Sequence, residues 1–135
     1  MSTSAEVLGL FISWALLLVV LMEASRCYFL IKGRIRSNEF KPDNANLPPF
    51  MQRLARAHAN CIEGLPIFGG LLILALVTGR TEITDTLAPW FLLARVAQSS
   101  IHVASLSVAA VNVRFATFVV QVGIAVYWAW ALLLN

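Results

Sequence analysis

Four apolar runs separated by polar stretches divide the chain. The first covers about residues 7–31, and Val7 to Met22 holds no charge. Roughly 20 apolar residues cross a hydrocarbon core as a helix, so this run predicts a spanning helix. A signal peptide would open on basic residues. Here the start carries Glu6 and no Lys or Arg, and apolar residues resume at Cys27 to Ile31. The stretch GRIRSNEFKPDNANLPP that follows is turn chemistry, and Pro48 and Pro49 suit a helix start. A second helix is predicted over about residues 49–78, a third over 86–110 and a fourth over 115–134. Val111 to Arg114 is read as the tight connection between the last two. Pro66, inside the second helix, removes one backbone donor and disturbs the carbonyl of Ile62. A kink just past Glu63 would widen the space beside it. Four spans with short connections predict an all-α integral membrane protein, an up-down four-helix bundle in one domain over residues 1–135.

The second helix is polar at its start and apolar at its end. Arg53, Arg56, Asn60 and Glu63 follow one another at spacings of three, four and three, which puts them on one stripe. His58 and Cys61 fall on other faces. The third helix carries Arg95, Ser99 and His102 on one stripe. Ionisable groups at membrane depth need partners, so a Glu63–Arg95 ion pair is expected. These groups either staple the helices together or build a functional site, and spacing alone leaves both readings open. Glu23 and Arg26 are read as a structural pair. Tyr127, Trp128 and Trp130 are read as interfacial anchors.

Composition confirms the solvent. Hydrophobic residues make up 59% of the chain and charged residues 13%, against about 25% charged in soluble domains. The net charge of +3 does not point to nucleic acid. Six of the ten basic residues lie between Lys32 and Arg56, with only Glu39 and Asp43 against them. One basic loop beside a span is what membrane topology produces, and it places that loop and Arg114 in the cytoplasm. Both termini then face the opposite side. Cys27 and Cys61 show no disulfide framework and no metal spacing, and both are read as reduced packing residues.

The cationic groups converge. Arg34, Arg36, Arg53, Arg56 and Arg114 lie at the cytoplasmic helix ends, with Asn60, Glu63, Arg95 and His102 deeper. Such a site suits a small anionic ligand with carboxylates and an ammonium, since arginines grip carboxylates bidentately. Glu63 or Asp43 would meet the ammonium, and the lipid flank would admit an apolar second substrate. An arginine also favours thiolate over thiol, and Arg114 is the best placed for that role. The competing reading of Arg114 is an anchor touching lipid phosphate.

The run Arg53-x-x-Arg56-Ala57-His58-x-Asn60-x-x-Glu63, followed by Pro66 and Phe68, closely resembles the signature of the MAPEG family. Those are the membrane-associated proteins of eicosanoid and glutathione metabolism. The resemblance extends to the chain length, the basic first loop, Arg95-Val96-Ala97 and Arg114. It implies a homotrimer with glutathione held between subunits at the cytoplasmic side. It further implies glutathione contacts from Arg36, Arg56, His58, Asn60, Glu63, Arg95 and His102, and thiol activation by Arg114. His102 and Phe118 stand where tyrosines are common in the family, and Ala59 replaces a further arginine of its prostaglandin synthase. The expected function is a membrane-bound glutathione transferase or peroxidase. It would conjugate glutathione thiolate to a lipophilic electrophile from the bilayer. The alternative is a non-catalytic lipid-binding or scaffold member of the same fold. The short loops suggest a bacterial inner membrane, or the endoplasmic reticulum in a eukaryote.

Overall fold

A computed structural model describes residues Met1–Asn135. It is all helical. Helix α1 spans Thr3–Ile31, α2 spans Pro49–Val77, α3 spans Ala88–Ala104 and α4 spans Val108–Leu134. By length and composition α1, α2 and α4 are candidate membrane spans. At 17 residues α3 is shorter. It reaches about 25 Å at about 1.5 Å per residue, less than the hydrocarbon core of about 30 Å.

The shortening of α3 corrects the expected boundary. The chain breaks not at Val111 to Arg114 but at Ser105, whose backbone is extended at φ −158° and ψ 151°. Ser107 then caps α4, its hydroxyl accepting from the Ala110 N–H at 3.1 Å. No glycine or proline marks the place, and apolar residues continue on both sides. Two serines flanking Leu106 were the available signal. Arg114 therefore sits at the seventh position of α4 rather than before its start. Ser107→Ala should lower stability by about 1 kcal/mol, with Ser107→Asp nearly neutral. Thermal unfolding of the detergent-solubilised variants checks this.

Pro66 produces a wider turn rather than a stop. Leu65–Gly69 form one π-helical turn inside α2, and the Leu65 N–H takes the Ile62 carbonyl that proline leaves without its normal donor. Widening the turn moves the ring away from that carbonyl, so α2 continues through it.

Helix α3 packs against all three other helices, while α4 packs on α3 and on the second half of α2. One aromatic residue from each helix meets at the centre. Phe91 of α3 lies 5.4 Å from Phe11, 4.8 Å from Phe68 and 5.9 Å from Trp128, centroid to centroid. Trp128 is thus fully buried, not an interfacial anchor. Helical geometry turns it inward, while Tyr127 and Trp130 stay about half exposed. Only 31 of 135 residues are buried, and apolar side chains such as Leu16, Val77, Phe115 and Leu133 stand exposed on the outside. That inverted surface belongs in lipid.

Polar contacts close both ends. Ser4 donates its backbone N–H to the Asp85 carboxylate at 2.8 Å and its hydroxyl at 2.6 Å. Arg80 donates to the carbonyls of Leu132 and Ala131 at 2.8 and 3.1 Å, satisfying acceptors that the end of α4 leaves free. Both termini therefore meet the short second loop at one end of the bundle. At the other end the expected pair forms, with Arg26 Nη1 3.0 Å from Glu23. Arg26 also donates to the Asn44 side chain at 2.8 Å and to the Lys41 carbonyl at 2.9 Å, which folds the first loop onto α1. Cys61 is buried as expected, but Cys27 is exposed on the flank of α1.

Candidate functional site

The polar stripe of α2 faces α3 and the start of α4 across two adjoining cavities. The smaller, about 350 Å³, lies beside the first-loop end. Arg53, Arg56 and Asn60 line it from α2, His102 from α3 and Arg114 from α4. Three helices thus bring five of the predicted residues together: Arg53, Arg56, Asn60, His102 and Arg114. No carboxylate lines this recess. Arg53 is fixed, its Nε donating to the Val103 carbonyl at 2.8 Å, so it also caps the C-terminus of α3. Arg114 is half buried, and its Nε has no partner within the chain. Asn60 Nδ2 lies 3.2 Å from His102 Nδ1. An amide nitrogen only donates, so Nδ1 accepts and the proton of the neutral ring sits on Nε2.

The larger cavity, about 870 Å³, continues from Asn60 along α2 and α4. The π-helical turn of α2 lines it through Pro66, Ile67 and Phe68, so the space expected beside Glu63 is present. Leu71, Leu74, Phe118, Val122 and Val126 make most of the wall apolar. Glu63, Arg95 and Gln98 supply its polar groups, and Asn60 borders both spaces.

Glu63 and Arg95 share this cavity without forming the expected ion pair. Arg95 is only 2% exposed and lies between aromatic faces, 5.3 Å from the Phe68 centroid and 5.7 Å from that of Phe11. Its Nη1 donates to the Asn60 carbonyl at 3.3 Å, and its Nε is unpartnered. Gly64 makes this seat possible, since a Cβ there would stand 2.7 Å from Arg95 Nη2 and 3.1 Å from the Phe68 ring. The guanidinium enters beneath Gly64, toward the core, while the Glu63 side chain remains exposed. The cost of about 3–5 kcal/mol for breaking a buried pair therefore does not apply to Glu63. Glu63→Gln should change folding stability by no more than about 0.5 kcal/mol, as at other exposed positions. Unfolding midpoints of the two proteins measure this, and a loss of several kcal/mol would show that Glu63 has a buried cationic partner.

Four predicted residues lie elsewhere. Arg34 stacks on Phe29, and Asp43 accepts from the Ala45 N–H in the first loop. The other two are Arg36 and His58. Arg36 sits on the first loop, 3.7 Å from Glu39, with its side chain 88% exposed. His58 is half buried on another face of α2 and lines neither cavity. Two residues were missed. Gln98 lies three positions after Arg95, on the same side of α3, and Gln121 is the one amide in the middle of an apolar run. Gln121 Nε2 donates to Gln98 Oε1 at 2.9 Å and to the Thr117 carbonyl at 3.1 Å, joining α3 to α4. A neutral amide within an apolar helix was the signal for Gln121.

No group of three or more His, Cys, Asp or Glu side chains is placed to hold a metal ion. No curated protein and no solved structure matches the chain. The family model described as MAPEG family matches residues 4–134. With a donor-rich recess, an apolar cavity beside it and a match over almost its whole length, the chain belongs to the MAPEG family.

Proposed function

We propose that the protein is a membrane-bound glutathione transferase or peroxidase, with glutathione as thiol substrate and a lipophilic electrophile as second substrate. The observation that carries this reading is the meeting of Arg56, Asn60, His102 and Arg114 around one recess that adjoins a much larger apolar cavity. Glutathione has two carboxylates, an ammonium and a thiol. The recess offers guanidinium groups for the carboxylates, and Glu63, one turn beyond Asn60, offers a carboxylate for the ammonium. The Arg114 guanidinium lines the recess and has no carboxylate partner within the chain, which suits a group that gains negative charge. In this reading the thiol proton passes to water at the exposed Arg56 mouth, and the thiolate stays beside the Arg114 guanidinium. The sulfur then bonds to an electrophilic carbon in the apolar cavity as the leaving group departs with its electron pair. With a hydroperoxide, sulfur attacks the terminal oxygen instead, the O–O bond breaks and the alcohol leaves after taking a proton from water. A second glutathione then converts the sulfenic acid to the disulfide and water.

The same reading has α3 complete a fourth span and three copies assemble around their α2 faces. The exposed Glu63 would then face the glutathione ammonium at the seam between chains. The basic first loop faces the cytoplasm and the termini the opposite side. Calorimetric titration of glutathione into the purified detergent-solubilised protein is the test. Saturable binding, with conjugation of a lipophilic electrophile, is expected. Absence of binding would leave the lipid-binding alternative, which the apolar larger cavity favours.

A further inference from the structure

The Gln98–Gln121 pair leaves one hydrogen-bond donor unpaired on a residue that lines the large cavity. The Thr117 carbonyl can only accept, so the nitrogen of Gln121 must face it. That same nitrogen donates to Gln98, so Gln98 must present its oxygen to α4. The Gln98 amide nitrogen is then left over. It has no hydrogen-bond partner within the chain, it is not sealed in the interior, and Gln98 lines the large cavity. Gln121 is fully buried, so the arrangement is held from behind by packing.

The charges around this donor balance. Arg95 and Glu63 line the same cavity, and their formal charges cancel. The rest of the wall is apolar apart from Asn60. A neutral apolar chain carrying one acceptor oxygen fits such a space. A carboxylate would be drawn by Arg95 but repelled by Glu63, and a pure hydrocarbon would leave the Gln98 N–H without an acceptor. An unmet polar group of the site is what makes it reject the analogue lacking the oxygen.

We propose that Gln98, oriented by Gln121, is a specificity-determining donor that selects neutral aliphatic molecules bearing a carbonyl-type oxygen as occupants of the large cavity. This deepens the proposed function by naming the class of second substrate, such as a long-chain enal or enone, and Gln121 is a positioning residue.

Equilibrium binding tests the inference without any turnover. In nanodiscs, 2-undecanone, undecane and undecanoate each compete with a fluorescent polyene hydrocarbon for the protein. The parent should bind the ketone about 5- to 10-fold more tightly than the hydrocarbon, the range expected for one hydrogen bond from a neutral donor. Gln98→Leu should remove that preference while leaving hydrocarbon binding in place. Gln121→Leu, which keeps the Gln98 side chain but frees its amide to turn, should weaken the preference too. A purely structural role for either glutamine would move ketone and hydrocarbon together. Equal affinities in the parent, preference for undecanoate, displacement by none of the three, or a ketone preference that survives Gln98→Leu would each overturn the proposal. If Gln98→Leu fails to fold, Gln121→Leu carries the same comparison. Ketone selection in a protein that does not bind glutathione would instead refute the transferase reading and leave this one standing.

Discussion

Replacing Arg114 by alanine is expected to spare most glutathione binding and to remove the thiolate. Binding in the proposed site draws on several groups, among them Arg56, Asn60 and Glu63, which the substitution leaves in place. The thiolate depends on one. Arg114 belongs to the first two turns of α4 and lines the recess without a carboxylate partner, so an anion arriving there meets an unpaired cation. Charge-assisted contacts that strengthen as charge develops are worth about 2–4 kcal/mol, and each 1.4 kcal/mol is about tenfold in rate. The conjugation rate should therefore fall roughly 30- to 1,000-fold. The ultraviolet absorbance of thiolate on adding glutathione, compared between parent and Arg114→Ala, reads the effect directly. An unchanged thiolate signal in the variant would remove Arg114 from the chemistry, and Arg114 would then be the lipid-phosphate anchor of the competing reading. Absence of signal in both proteins would favour the non-catalytic reading.

The elements that could be read in the sequence were those written in local chemistry. Apolar run length predicted α1 and α2 closely and the end of α4, but it started α4 seven residues late. The spacing of Arg56, Asn60 and Glu63 placed them on one face, and that face does border the two cavities. Pro66 announced a disturbance next to Glu63, and the π-helical turn there is its form. The failures came where tertiary contacts decide. The break between α3 and α4 rests on Ser105 and Ser107, residues that also occur inside helices, so the apolar pattern ran straight through it. The Glu63–Arg95 pair was inferred from depth alone. Depth does not say which way a side chain turns, and the space that Gly64 leaves takes Arg95 toward two aromatic rings. Trp128 was misplaced because a tryptophan near a helix end suits an interface or a core equally, and only its packing against Phe91 settles the matter. Gln98 has meaning only through Gln121, twenty-three positions away in the chain.

Phe91→Ala is expected to give the largest loss of stability. The side chain is fully buried and touches one aromatic ring from each of the other three helices. Between helices in lipid there is no water to expel, so association rests on close packing and on the polar contacts between elements. Deleting the central ring forfeits those contacts, and four separate helices must shift together to close the hole. Buried Phe→Ala changes cost about 3–5 kcal/mol when the surroundings relax only partly. Phe91→Leu should cost less, since it keeps much of the volume. The damage should also reach the site. Phe11 and Phe68, which pack on Phe91, are the same two rings that lie against the Arg95 guanidinium. When Phe91 is lost, both rings gain freedom and the Arg95 seat loosens at the wall of the large cavity. Thermal unfolding with and without a cavity ligand separates the two consequences. Phe91→Ala should lower the midpoint and also shrink the increment that the ligand adds. A variant as stable as the parent would mean that the aromatic cluster is not the junction of the bundle. A lowered midpoint with an undiminished ligand increment would mean that the Arg95 seat is held by Gly64 and the Asn60 carbonyl alone.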